Sequence, residues 1–131
     1  MLPDLDLYDV QRVLKAAASR SPRSIRRAGT ILADLVTRQP HQEAVYDIAR
    51  AIAEQPARAL RGKAAPGQPI VLRGSRPNPS PSLAWAMSFL QAAIDRDEIT
   101  ALEAWMSLSL PDQPAHLMAL TAISVQHIDP S

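Results

Sequence analysis

The sequence contains no cysteine, only five aromatic residues, and a single basic residue, Arg96, after position 78. The absence of cysteine excludes disulfide frameworks, thiolate metal sites and cysteine nucleophiles. Proline, glutamine, serine and histidine interrupt every uncharged stretch, so there is no ~20-residue apolar segment to span a membrane. The N-terminal MLPDLDLYDV is acidic where a secretory signal is basic, and we therefore expect a cytoplasmic protein.

Charge is divided unevenly along the chain. Residues 1–78 carry 13 basic and 7 acidic side chains, whereas residues 79–131 carry one basic and 6 acidic side chains. The net charge of +1 thus combines a basic half with an acidic one, which indicates an anionic partner. Twelve of the 14 basic residues are arginines, whose planar guanidinium groups suit phosphate and carboxylate. The arginine- and alanine-rich composition is typical of a GC-rich bacterial genome.

The sequence predicts one helical domain over residues 1–131, with a long loop in its middle. A basic helical segment covers 1–63, and an apolar, acidic helical segment covers 82–131. The connecting loop, 64–81, holds five prolines and two glycines, which are incompatible with a continuous helix. Within it, Ile70-Val71-Leu72 has the composition of a short strand but no obvious pairing partner.

Helical periodicity accounts for the two flanking segments. The first predicted helix places these residues on its apolar face: Leu7, Val10, Leu14 and Ala17. The second begins at the cap Ser21 and Pro22 and has this inward face: Ile25, Ala28, Leu32, Leu35 and Val36. A third helix is expected over 41–55, followed by a short separate helix over 56–61.

The acidic segment predicts three more helices. The first, over 82–95, is apolar around most of its circumference. Asp97 caps the next helix, for which we expect an inward face of Ile99, Leu102, Trp105 and Met106. The last helix, over 113–127, has no charged residue. The predicted fold class is therefore all-α, a single compact bundle of about five to six short helices.

Arginines of the second helix give the strongest functional signal. Together with neighbouring cations of the first helix and the turn they define a surface, the basic ridge, formed by Arg12, Lys15, Arg20, Arg23, Arg26 and Arg27. We expect it to bind phosphates, with Arg73 and Arg76 of the loop closing over a bound strand. The alternative is a solvated helix face, partly neutralised by an Asp34–Arg38 pair.

Sequence-specific DNA reading through the third helix is disfavoured. As the second helix of a helix-turn-helix, it would present a net acidic face to the DNA backbone. Trp85, Phe89 and Trp105 lie on core-like faces, so only Tyr8 and Tyr46 remain for base stacking.

The final helix carries two apolar stripes where one suffices for a core. We therefore identify Leu120 and Ile123 as a candidate protein interface, for a homodimer or another partner. The alternative is a helix buried on both sides. His116 and His127 lie ~16 Å apart along this helix, too far to hold one ion, and we expect neither metal nor cofactor.

The sequence thus predicts a non-enzymatic binding module. Its arginine-rich half is expected to dock on nucleic acid or a nucleoprotein complex. A second hypothesis is a protein-only adaptor, inhibitor or chaperone that binds an acidic protein surface. No motif supports an enzyme, which would require a concave pocket with convergent polar groups.

Overall fold

Six α-helices form the part of the chain that the computed structural model describes, residues 4–19, 21–70, 72 and 80–127. The helices are α1 (Asp4–Ala18), α2 (Pro22–Thr37), α3 (Gln42–Lys63), α4 (Pro81–Ile94), α5 (Glu98–Met106) and α6 (Gln113–His127). A short 3₁₀ turn, Leu110–Asp112, leads into α6. No strand occurs within those ranges, and the predicted all-α bundle is confirmed.

Short polar side chains set where the helices begin. The Ser21 hydroxyl accepts a hydrogen bond from the Ser24 amide at 3.1 Å, and Pro22 follows in the first turn. The Ser80 hydroxyl caps α4 in the same way, and the helix begins at Pro81, one residue before the predicted start at 82. These contacts satisfy amides that have no partner within the helix. The predicted caps at Ser21 and Asp97 are both confirmed.

The third helix is longer than predicted. It runs unbroken from Gln42 to Lys63, and the separate helix expected after Gln55 is its continuation. Pro56 lies inside it, fully buried, although proline removes one backbone hydrogen bond. The buried side of the helix continues through Ala57 to the half-buried Leu60, and this packing outweighs the lost bond.

The last helix is central to the bundle. It packs against α1, α3 and α4, which explains why it carries no charge. Leu120 is fully buried and Ile123 is 6% exposed, so the prediction of a protein interface at these residues is wrong. The alternative, a helix buried on both sides, is correct because neighbouring helices cover both stripes.

Four of the five aromatic residues form one buried cluster across α3, α4 and α5. Trp85 stacks on Phe89 with ring centroids 5.0 Å apart, and Tyr46 lies 6.0 Å from Trp105. Tyr46 also accepts a hydrogen bond from Arg50 at 3.0 Å. Tyr46 is therefore not free to stack on a base, contrary to the sequence-based expectation, and Tyr8 alone is exposed.

Several apolar residues predicted to face the core are exposed instead. Leu7 and Ile25 lie near helix ends and are 41% and 43% exposed. The short α5 packs on α4 through Ala101 and Trp105, and this orientation turns the opposite side to solvent. The exposed side carries three residues that were expected inside: Ile99, Leu102 and Met106.

Part of the central loop is attached to α4 by one side chain. The Gln91 side-chain amide accepts a hydrogen bond from the Leu72 backbone amide at 2.9 Å and donates one to the Ile70 carbonyl at 2.7 Å. These are the two backbone groups that a neighbouring strand would bond. Ile70 and Leu72 adopt no strand, and the pairing partner that the sequence did not reveal is a side chain.

Candidate functional site

The helical hairpin of α1 and α2 brings cations from both helices together. The two helices pack against each other and enclose an open cleft of about 400 Å³ near the turn that joins them. The cleft is lined by Arg12, Lys15, Ala16, Ser19, Ser24, Arg27 and Ile31. Three cations and two hydroxyls therefore converge on one concavity, which is suited to an anionic group.

Two further arginines extend the positive surface outside the cleft. Arg23 and Arg26 are exposed on the first turns of α2. Among the described residues, no carboxylate forms an ion pair with Lys15, Arg23, Arg26 or Arg27, whereas five other arginines are paired. Four positive charges of the basic ridge are therefore uncompensated.

Arg38 explains why nearby carboxylates do not neutralise the ridge. Its guanidinium lies 3.6 Å from Asp6, hydrogen-bonds Asp9, and lies 3.7 Å from Asp34. The predicted Asp34–Arg38 pair is confirmed, but it lies about two to four turns beyond the ridge arginines of α2. Arg38 thus gathers three acidic groups at the other end of the hairpin and leaves the ridge positive.

Arg12 differs from the other ridge residues. Its guanidinium pairs with Asp9 at 3.1 Å, and Asp9 is itself only 7% exposed. Arg12 remains partly exposed and lines the cleft, but part of its charge is already balanced. The expectation that Arg12 binds an anionic partner stays a prediction.

The arginines of α3 stabilise the bundle instead of adding to the ridge. Arg61 pairs with Glu54 at 2.7 Å and donates a hydrogen bond to the Ala93 carbonyl near the end of α4 at 2.9 Å. Arg50 lies 3.5 Å from Glu98, so it links α3 to α5. Because these groups are paired, the arginines of the described first half that have no carboxylate partner, Arg23, Arg26 and Arg27, all lie on the α1–α2 hairpin.

Three predicted site residues, Arg20, Arg73 and Arg76, lie outside the described residues. Arg20 belongs to the turn between α1 and α2 in sequence. The described residues on either side of the other two are Leu72, which bonds Gln91 of α4, and Ser80, which caps α4. The expectation that the loop arginines close over the ridge therefore stays a prediction.

Asp9 makes the hairpin sensitive to acid. The hydrogen bond from Arg38, aided by Arg12, lowers the pKa of the Asp9 carboxyl below its ordinary value of 3.8, although burial opposes this. A carboxyl whose pKa is lower in the folded than in the unfolded protein stabilises the folded state at pH values above its ordinary pKa. That stabilisation is lost as the pH falls through the folded-state pKa.

We expect Asp9→Asn to lower the free energy of unfolding by about 1 kcal/mol at pH 7, since both arginine partners are partly solvated. The difference from the unsubstituted protein should vanish as pH falls below 3.8. Urea titrations at a series of pH values measure this difference in the free energy of unfolding. The control is Asp4→Asn, on the exposed start of α1. An equal loss in both variants would contradict this role for Asp9.

The described residues lack the features of the competing site types. Within them, no cluster of three histidine or acidic side chains is arranged to hold a metal ion. The face of α3 that a helix-turn-helix would present to DNA is largely half-buried, and its Arg50 and Glu54 are engaged in ion pairs. None of the helices in the described ranges has the length and apolar character needed to cross a membrane.

Sequence periodicity predicted a set of cations on one face of α2, but it did not predict the acidic residues that gather around Arg38. The Arg38–Asp9 contact joins residues 29 positions apart, and no local spacing signals it. No protein-family model matches the chain, and comparisons with curated proteins and with solved structures likewise returned no significant match.

Proposed function

We propose that this protein is a non-enzymatic binding module whose α1–α2 hairpin docks on nucleic acid or on a nucleoprotein complex. The observation that carries the proposal is a set of four exposed cations, Lys15, Arg23, Arg26 and Arg27, which lie in or beside one cleft and have no carboxylate partner among the described residues. Phosphate contacts of this kind position a protein on a polynucleotide without reading its sequence.

Two further features favour phosphate-backbone binding over base recognition. The aromatic side chains of the described bundle are buried, apart from Tyr8 and the half-buried Tyr46, so base stacking has little support. The cleft is lined by guanidinium, ammonium and hydroxyl groups, which bind phosphate oxygens. We therefore expect binding with little sequence preference.

The test replaces Arg23, Arg26 and Arg27 together by Glu and measures binding to a labelled oligonucleotide, single-stranded and duplex, by fluorescence anisotropy. We expect affinity to fall by about a hundredfold. Residual binding should depend less on salt, because each lost contact to duplex removes about 0.9 from the slope of log K against log salt concentration. The free energy of unfolding should change little, since all three residues are exposed.

The matched control carries Arg58→Glu, Lys63→Glu and Arg96→Glu, three exposed basic residues outside the hairpin, and it changes the net charge by the same amount. This variant should keep most of the affinity of the unsubstituted protein. Equal losses in the two variants would show that net charge alone drives binding. If the unsubstituted protein binds no polynucleotide even at low salt, the adaptor hypothesis is favoured, in which the same arginines bind an acidic protein.

A further inference from the structure

One face of α5 is apolar and uncovered. Ile99 is 73% exposed, Leu102 44% and Met106 74%. Their spacing of three and four residues places them on one side of the helix, opposite the buried Ala101 and Trp105. We call these three residues the α5 stripe. Single exposed apolar residues are ordinary, but an aligned set on one helix face is typical of a contact surface.

Acidic residues border the α5 stripe on both sides. At 3.6 residues per turn, Glu98 and Glu103 lie about 40° beyond its two edges. Glu103 has no ion-pair partner within the described residues, and the Glu98 side chain remains 76% exposed although Arg50 lies nearby. The surface therefore combines an apolar centre with a negative rim.

A second acidic feature lies beside the stripe. Between α4 and α5 there is a cleft of about 600 Å³, and its lining includes Met87, Asp95, Asp97 and Thr100. The Thr100 hydroxyl and amide donate hydrogen bonds to the Asp97 carboxylate at 2.6 and 3.1 Å. These bonds, the one from the hydroxyl first, lower the pKa of the Asp97 carboxyl below its ordinary value.

Charge complementarity decides what fits this surface. A second copy docked through the same face would bring Glu98 and Glu103 of both molecules together, and like charges in a contact oppose association. A partner helix with an apolar stripe flanked by lysine or arginine would bury the three side chains and pair with the rim. We infer that the α5 stripe is a docking site for a basic amphipathic helix of a protein partner.

This inference does not depend on the proposed nucleic-acid contact, because the two surfaces share no residue. Together they would let the module hold a polynucleotide through α1 and α2 and a protein through α5. The stripe spans three residues of a nine-residue helix, so the contact belongs among the small, transient interfaces.

The probe is a labelled synthetic peptide of leucine and lysine patterned as an amphipathic helix, with binding followed by fluorescence anisotropy. We expect it to bind the full chain, and we expect the double variant Ile99→Ser, Met106→Ser to bind about tenfold more weakly or worse. Glu103→Lys should also weaken binding. A peptide of the same composition in scrambled order, and a leucine–glutamate helix, should bind far less.

Two matched variants test whether the peptide binds at the α5 stripe and nowhere else on the protein. Leu5→Ser removes a similarly exposed leucine on α1 and should leave binding unchanged. The variant with Arg23, Arg26 and Arg27 replaced by Glu should bind the peptide at least as well as the unsubstituted protein does, whatever happens to its nucleic-acid binding.

Three results would overturn the inference. The first is no binding of the leucine–lysine peptide at all, and the second is equal binding by the Ile99→Ser, Met106→Ser variant. The third comes from sedimentation equilibrium of the protein alone. A dimer that Met106→Ser dissociates would assign the stripe to self-association.

Discussion

Leu120→Glu is expected to abolish folding of the protein. Leu120 is fully buried in α6, the helix that packs against α1, α3 and α4. The substitution removes a core leucine, worth about 2–5 kcal/mol as a truncation, and adds a carboxylate without a buried partner. The combined cost approaches the whole stability of a small domain, which is typically about 5–15 kcal/mol.

Far-UV circular dichroism and a thermal melt measure the effect of Leu120→Glu, and two further variants define its cause. Leu120→Ala should remain folded with a free energy of unfolding lower by about 2–5 kcal/mol. Leu102→Glu, the same substitution on the exposed side of α5, should shift stability by less than ~1 kcal/mol. A folded, cooperative Leu120→Glu protein would mean that α6 is not packed as described.

The contrast between Leu120 and Leu102 shows where prediction from sequence ended. Helix positions and caps follow from local patterns, and the periodicity, Ser21 and Asp97 predicted them correctly. Which apolar face meets a neighbour depends on how helices are arranged, and local patterns do not contain that information. Hence neighbouring helices cover both apolar stripes of α6, whereas the apolar stripe of α5 that was expected to face the core is exposed.

The same limit applies to charge. Sequence placed Arg23, Arg26, Arg27 and Arg38 on a single face of one helix. Packing of α1 against α2 brings Asp6 and Asp9 to Arg38, whereas the other three arginines have no carboxylate partner within the described part of the chain. Contacts between residues about 30 positions apart are set by tertiary structure, which is why the uncompensated part of the ridge emerged only from the fold.

The aromatic cluster ties the two oppositely charged halves of the chain together. Tyr46 belongs to the basic half, whereas Trp85, Phe89 and Trp105 belong to the acidic half. His116 of α6 also contacts the Trp85 ring edge-on at 5.5 Å. A shared apolar centre therefore holds the helices of the two halves together.

Phe89→Ala is expected to cause the largest loss of stability that still leaves the bundle folded. Phe89 is fully buried, stacks on Trp85 at 5.0 Å and meets the Tyr46 ring edge-on at 6.3 Å. Removing it creates a cavity where α3 and α4 meet, at a cost of about 3–5 kcal/mol. Part of that cost is the loss of two aromatic contacts, each worth about 0.5–1.5 kcal/mol beyond burial.

Urea denaturation followed by tryptophan fluorescence suits this test, because both tryptophans of the chain, Trp85 and Trp105, belong to the cluster. The Phe89→Ala variant should unfold with its midpoint at a much lower urea concentration than the unsubstituted protein. Tyr8→Ala, which removes the exposed aromatic residue of α1, should change the free energy of unfolding by less than ~0.5 kcal/mol. If the two variants lost equal stability, the cluster would not be what joins α3 to α4. The hydrogen bond from Arg61 of α3 to the Ala93 carbonyl of α4 would then have to supply that connection, and Arg61→Ala would become the more damaging change.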